Sequence, residues 1–249
     1  MGSRRIVLTF DIENDCSSDL FEGIRLGLPK ILRLLRKYKI PATFFVTGEV
    51  AERFPKVIQN LSANYEVGCH GFYHESFNKI DPRKVKLLKS AKQLLEEITG
   101  APILGFRAPY LKVSQELFNA LVKLNFKYDS SLAWFKINHW RLSSRLKEFW
   151  LMFPNVYFRF PLGLSLFKIG CFLNKLPVLY FHPWEGIDVR SLFLNHPNYF
   201  RVIFTRPDRW LNSGDQFIFL LSKFIKFQIK HGVTFQTLRD LYSEISNSS

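Results

Sequence analysis

Ile6-Val7-Leu8-Thr9-Phe10 runs directly into Asp11-Ile12-Glu13-Asn14-Asp15. The first five residues are almost all apolar, as expected of a strand buried on both faces in a helix-covered parallel sheet. Three acids in the next five residues mark the point where that strand surfaces. The same punctuation recurs downstream. A helix is predicted from Gly23 to Tyr38, with Ile24, Leu28, Ile31, Leu32 and Leu35 as its apolar stripe. Arg25, Lys30, Arg33, Arg36 and Lys37 take its other face. Strands are expected at Pro41–Val46, Tyr65–Cys69, Ile103–Phe106, Phe126–Tyr128, Val156–Phe160, Val178–Phe181 and Val233–Phe235. Helices fall between them. Asp81-Pro82 opens one and Gly100 closes it, Ser114 caps another, and Ser213 with Gln216 reads as a capping box for a helix ending at Gly232. A final helix starts near Thr237. Strand and helix alternate without an internal linker, which predicts an α/β fold with a parallel sheet. A chain of 249 residues fits a closed or nearly closed barrel built as a single domain, 1–249.

Composition narrows the function classes. Hydrophobic residues make up 47% and charged residues 22%, enough apolar material for a large core and against disorder. Phenylalanine is abundant, at 26 residues. Lys+Arg 35 against Asp+Glu 21 leaves +14, which favours anionic surroundings such as phospholipid or a phosphate-bearing substrate. No nucleic-acid motif accompanies the charge, so no nucleic-acid partner is expected. Cys16, Cys69 and Cys171 form no C-x-x-C pattern and fit a reducing compartment. Met1–Arg5 leads straight into the first strand with no signal-peptide pattern, and no apolar run approaches the ~18 residues of a membrane span. The expectation is a cytoplasmic protein, peripheral at the inner face of the membrane.

Val67-Gly68-Cys69-His70-Gly71-Phe72-Tyr73-His74 carries two imidazoles four residues apart, a spacing that places both on one side of a helical turn and suits a shared metal ion. In barrels of this kind the site lies at the C-terminal ends of the strands. Asp11, His70, His74, Arg107, Asp129 and His182 all occupy such ends. Two histidines and a carboxylate holding a divalent ion, with room for water, form a hydrolytic centre. Asp11 and Glu13 both lie near enough to supply that carboxylate, and a second carboxylate suits a general base. Arg107 would keep the base ionised. His182, on a separate strand, would face the substrate from the opposite side as general acid. Asp129 would either polarise His182 or cap its own turn.

Thr9-Phe10-Asp11, His70-Gly71-Phe72-Tyr73-His74, Arg107-Ala108-Pro109-Tyr110, Tyr128-Asp129-Ser130-Ser131 and Leu179-Tyr180-Phe181-His182-Pro183-Trp184-Glu185 resemble, in order, the motifs of the polysaccharide deacetylases, the NodB-homology carbohydrate esterases. The last two motifs resemble most the branch linked to surface-polysaccharide assembly. The resemblance implies a deformed, incomplete (β/α) barrel and metal-dependent hydrolysis, with a divalent ion such as Zn²⁺, that removes an N-acyl group, usually acetyl, from an amino sugar. It makes Asp11 the base, His182 the acid, Arg107 the tether of the base, and His70 and His74 metal ligands. It places Pro109, Tyr110 and Trp184 against the substrate, with the Tyr110 backbone N–H on the oxyanion. The chain departs from the family pattern in three ways. Ile12 stands where the common form has a second Asp, so the D-x-E spacing points to Glu13 as third ligand, with Asp15 the runner-up. The Asp-Trp pair that tunes the acid in typical members is absent, so the resemblance gives no support to Asp129 as tuner.

The third departure is a pair of aromatic and basic segments, 135–154 and 186–212, longer than the family core needs. Trp134, Trp140, Phe149 and Trp150 accompany Lys136, Arg141, Arg145 and Lys147 in the first. Phe193, Tyr199, Phe200, Phe204 and Trp210 accompany Arg190, Arg201, Arg206 and Arg209 in the second. Such mixtures suit sugar stacking or a lipid-phosphate interface. They extend the expectation to a lipid-linked glycan and an anionic membrane surface. Two other functions fit the same motifs: a deformylase or cyclic-amide hydrolase, and a catalytically inactive carbohydrate- or lipid-binding relative.

Overall fold

A computed structural model describes all residues except 1–3, 16–18, 137–144, 174–175, 194–203, 205–206 and 248–249. Eight parallel strands form one curled sheet: β1 (Arg5–Ile12), β2 (Thr43–Val46), β3 (Glu66–Cys69), β4 (Gly105–Phe106), β5 (Tyr128–Asp129), β6 (Lys147–Glu148), β7 (Val178–Phe181) and β8 (Thr234–Phe235). Their order is β6-β5-β4-β3-β2-β1-β7, with β8 paired to the start of β1. Helices α1 (Leu28–Tyr38), α2 (Gly48–Arg53), α3 (Pro55–Ser62), α4 (Pro82–Thr99), α5 (Gln115–Lys123), α6 (Gly163–Leu173), α7 (Val189–Phe193), α8 (Pro207–Trp210), α9 (Asp215–Lys230) and α10 (Leu238–Asn247) make the connections. The curled sheet with helices around it is a deformed, incomplete (β/α) barrel.

Closure is minimal. Leu151 forms single parallel bridges to Ala133 on one side and Val178 on the other, and the Met152 N–H donates to the Val178 carbonyl at 3.1 Å. This explains why Val156–Phe160 is not the predicted strand. The place beside β7 is already taken by 151–152, and Asn155–Arg159, held between Pro154 and Pro161, coils into a 3₁₀ turn instead. The segment 135–154, read as an insert, thus contains β6 and the closing residue.

Pleat alternation sorts β1. Ile6, Leu8, Phe10 and Ile12 point outward into the core under the helices, whereas Val7 belongs to the smaller cluster inside the barrel. The abundant phenylalanine fills the outer layer: Phe10 stacks on Phe44 at 5.1 Å, and Phe158 meets Phe181 at 5.0 Å and Phe224 at 5.8 Å. Inside, Leu238 and Leu241 of α10 plug the bottom of the barrel. Thr43 Oγ1 accepts from the Leu238 N–H and Glu66 Oε2 from the Arg239 N–H, both at 3.0 Å, satisfying the unpaired first turn of that helix from two neighbouring strands.

The predicted helix ends hold at Asp81, Gly100 and Ser114. The capping box at Ser213 does not form. Gly214, at φ +72°, breaks the chain before α9, and Ser213 Oγ turns back to the Trp210 carbonyl. Among the described residues no helix is long and apolar enough to cross a membrane. Cys69 and Cys171 are free and buried.

Candidate metal and catalytic site

Asp11 ends β1 on the inner face. Continuing the pleat past outward-facing Ile12 brings Glu13 to the same side, so an acid-x-acid spacing sets two carboxylates in one cleft where adjacent acids would diverge. Glu13, His70 and His74 lie with one ligand atom each within 4.8 Å of one another, all three buried. Glu13 Oε2 is 3.3 Å from His70 Nε2 and also meets His74 Nε2. His70 Nδ1 is 2.8 Å from the Arg107 carbonyl. A carbonyl can only accept, so Nδ1 carries a proton, which leaves Nε2 as the nitrogen that would present its lone pair to a metal ion. Two imidazole nitrogens and a carboxylate oxygen suit a borderline divalent ion such as Zn²⁺.

The histidine pair does not sit on a helix as its spacing predicts. Residues 70–76 form a bent loop in which Gly71 (φ +76°) and His74 (φ +58°) turn the chain so that both rings converge, with centroids 5.2 Å apart. Burial would raise the Glu13 carboxyl, but hydrogen bonds from His70 and His74 and the charge of His182 hold it well below the usual range. Asp15 lies elsewhere. Its carboxylate accepts from the Gly23 N–H at 2.9 Å, and burial pushes its pKa up to about 7.

Arg107 is fully buried and is no surface ion pair. Its Nη1 donates to Asp11 Oδ1 and Thr9 Oγ1, both at 2.7 Å, while Nε and Nη2 donate to the Ser130 carbonyl and Oγ at 2.9 Å. Asp129 is not beside His182. It takes the Ser131 hydroxyl at 2.7 Å, and Ser131 Oγ accepts from the Ala108 N–H at 2.7 Å, so Asp129 braces the strand end that carries Arg107 and Tyr110. Its neighbour Glu148 is raised well above the carboxylate range, first by burial and then by the Asp129 charge.

The partner of His182 is Glu185, to which the sequence reading gave no role. His182 Nδ1 lies 3.2 Å from Glu185 Oε1, which also accepts from Asn155 Nδ2 at 2.7 Å. Arg159 Nε donates to Glu185 Oε2 at 2.9 Å, and its two terminal nitrogens reach the carbonyls of Asp208 (2.6 Å) and Leu211 (2.7 Å). Burial works against charging His182, but the Glu185 hydrogen bond and the charges of Glu13 and Asp11 outweigh it and raise the imidazole. Burial likewise works against the Glu185 carboxylate, and Arg159 together with His182 and Asn155 outweighs it and lowers the group. The signal was present: an acid three residues after His182, behind a proline, is the capping-box position of the Pro183–Gly186 turn.

That turn approaches the chain before α1 very closely. A side chain on Gly27 would lie 2.0 Å from the Pro183 carbonyl, and one on Gly23 within 2.6 Å of the Trp184 nitrogen. Gly23–Gly27 is a π-helical turn, so the segment reads as one helix with α1 in sequence but has a wider first turn. The contact sets His182 Nε2 3.8 Å from Glu13 Oε1, across the cleft from the histidine pair.

The cleft measures about 230 Å³. Tyr110, Trp184, Lys136 and Arg209 line it along with Asp11, Glu13, His70, His74, Arg159 and His182, whereas Pro109 is buried and does not. Tyr110, in left-handed backbone at φ +58°, packs its ring 4.4 Å from that of His74. Lys136 Nζ donates to the Tyr110 carbonyl at 2.9 Å and the Leu111 carbonyl at 3.2 Å, pinning that turn. Both long segments therefore contribute to the cleft wall. Trp140, Arg141, Tyr199, Phe200, Arg201 and Arg206, named with them above, lie outside the described residues, as does Cys16.

A family model described as polysaccharide deacetylase matches residues 1–128, just over half of the chain. The chain belongs to the polysaccharide deacetylase family. A peptidoglycan deacetylase of Helicobacter pylori is 37% identical over 125 residues, 49% of this chain and 42% of that protein. A chitooligosaccharide deacetylase of Rhizobium leguminosarum bv. phaseoli is 32% identical over 37% of this chain and 42% of its own. The matched stretch spans less than half the length of these curated relatives. Among solved structures, a probable polysaccharide deacetylase from Pseudomonas aeruginosa PAO1 shares the fold with a TM-score of 0.68 at 17% identity, covering 96% of this chain and 89% of that one. A CE4 family pseudoenzyme from Bacillus anthracis shares it with a TM-score of 0.61 at 14% identity, covering 97% and 66%.

Proposed function

We propose that the chain is a divalent-metal-dependent hydrolase that removes an N-acyl group, most simply acetyl, from an amino sugar of a glycan. One observation carries the reading: the Glu13, His70, His74 cluster faces His182 across one cleft, with Asp11 held beside it by a buried arginine. A divalent ion on that cluster supplies Lewis acidity toward the acyl carbonyl and toward water. The remaining chemistry belongs to the chain. Asp11, positioned by the Arg107 guanidinium at 2.7 Å, takes one proton from the attacking water as its oxygen bonds the acyl carbon. The Tyr110 turn, pinned by Lys136, offers its backbone N–H to the developing oxyanion. His182, kept protonated by Glu185, delivers a proton to the sugar nitrogen as the C–N bond breaks, which yields the free amine and the carboxylic acid. Glycan substrates are favoured by the named activities of the relatives and by the aromatic walls at Tyr110 and Trp184.

The inactive-relative reading draws on Ile12. That side chain points into the outer core, fully buried, and Glu13 supplies the carboxylate in its place, so this departure removes no ligand.

The test is release of carboxylic acid and free amine from a soluble N-acetylated chitooligosaccharide, with metal content measured on the same preparation. Activity that is lost on chelation and restored by a divalent ion is expected. Asp11→Asn should abolish turnover with metal retained, and His182→Ala should lower kcat by about 10²–10⁴-fold. Protein that takes up no stoichiometric divalent ion on soaking would overturn the proposal.

A further inference from the structure

On the flank of the barrel, Leu162, in the turn just before α6, is followed by Leu166, Ile169 and Leu173 at the three-and-four spacing of one face of that helix. They are 80%, 62%, 58% and 80% exposed. The opposite face of the same helix, Phe167 and Cys171, is buried in the core. No described residue covers the stripe. Helix α9 packs between α6 and α1, so the three helices present one continuous flank. These helices carry Lys30, Arg33, Arg36, Lys37, Lys168, Lys223, Lys226 and Lys230 against a single acid, Asp215, which pairs with Lys30 at 2.7 Å. Several cations lie over aromatic rings at its edge: Lys223 Nζ is 4.4 Å from the Phe219 ring, Lys168 Nζ is 4.6 Å from Phe227, and the Arg4 guanidinium is 3.6 Å from Phe172.

We propose that this flank docks on an anionic lipid bilayer, with the α6 stripe entering the headgroup boundary and the lysines of α9 and α1 meeting the lipid charges. A bilayer offers an apolar layer and a plane of negative charge together, which is the pairing this surface presents. Lysine stems lie along the apolar edge while their ammonium groups reach the headgroups. The stripe begins at Leu162, shortly after the Asn155–Arg159 turn whose residues line the cleft, so docking would hold the cleft mouth near the bilayer surface. The flank shares no residue with the metal cluster, and the proposal stands independently of the reaction proposed above.

The experiment is co-sedimentation of the full chain with phosphatidylcholine vesicles, with and without phosphatidylglycerol, at low and high salt. The expected result is binding only to the phosphatidylglycerol vesicles, reversed by salt. Leu166→Glu with Ile169→Glu should weaken that binding at least tenfold, and Lys223→Glu with Lys226→Glu by about tenfold or more. Both variants should keep the wild-type melting temperature and wild-type activity on soluble oligosaccharide. Three outcomes would overturn the proposal: no binding to anionic vesicles, binding unchanged in both variants, or a wild-type dimer that becomes monomeric in the α6 variant without any vesicle association. The last would assign the stripe to a second copy of this chain.

Discussion

Glu13 joins His70 and His74 because a strand returns to the same face every second residue, and Asp15 is carried off by the turn into Gly23. Glu13→Gln should therefore weaken divalent-ion binding by at least about 10- to 100-fold, while Asp15→Asn leaves it near wild type, measured by competition with a chromophoric chelator. The reverse pattern would move the ligand to Asp15. At this scale much was legible. Asp11, His70, His74, Arg107 and His182 announce themselves as polar residues at the ends of apolar runs, where packing has no use for them. Glu185 was not legible as the partner of His182, because the contact depends on a 3₁₀ turn that no periodicity announces. Asp129 was left between His182 and its own turn, and it takes the turn, accepting from the Ser131 N–H at 3.1 Å: strand-end position fixes the height of a side chain in the barrel but not which neighbour it meets.

The close packing of Gly23–Gly27 against Pro183–Gly186 is the element-level device that sets the distance between His182 and Glu13. Gly27→Ala would force a methyl group to within 2.0 Å of a carbonyl oxygen, so the two segments must separate. The expected cost is about 1–3 kcal/mol of stability in urea titration, together with a fall in kcat that exceeds any loss of metal affinity. Equal losses of both would show that the contact only holds the fold. Helices with their own caps and apolar stripes were readable from sequence, as Asp81, Gly100 and Ser114 illustrate. β4 and β5 were read in place, though as longer runs than the two residues each that pair, whereas β6 was not, since its pairing is imposed by neighbours and carries almost no local pattern. Val156–Phe160 shows the converse, an apolar run without a free sheet edge to join.

Across the whole molecule, the buried Arg159, Glu185 and His182 chain gives stability a characteristic pH dependence. Glu185 lies below its ordinary 4.5 when folded, so its contribution is complete above 4.5 and is lost as pH falls through the folded value. His182 lies above its ordinary 6.5, so its contribution is complete below 6.5 and is lost as pH rises through the folded value. In metal-free protein, the stability difference between wild type and Glu185→Gln should thus be largest between 4.5 and 6.5 and shrink on both sides. At its largest it should reach about 3–5 kcal/mol, because Arg159 is left buried without a counter-charge. Urea midpoints across the pH range would show a flat difference if the pair were only a packing contact. The barrel class followed from the alternation of apolar runs and helices. Its closure did not, because that rests on one residue.

That closure divides the molecule by labour. The histidine pair, Glu13 and the arginine-held Asp11 ride on β1, β3 and β4, whereas Lys136, Arg159 and Arg209 come from chain on either side of the Leu151 seam. Material can be added, removed or exchanged near the seam without moving a ligand atom. Variation near the seam would therefore reshape the cleft wall first, reaching His182 and the Tyr110 turn only where it alters Arg159 or Lys136, which brace them.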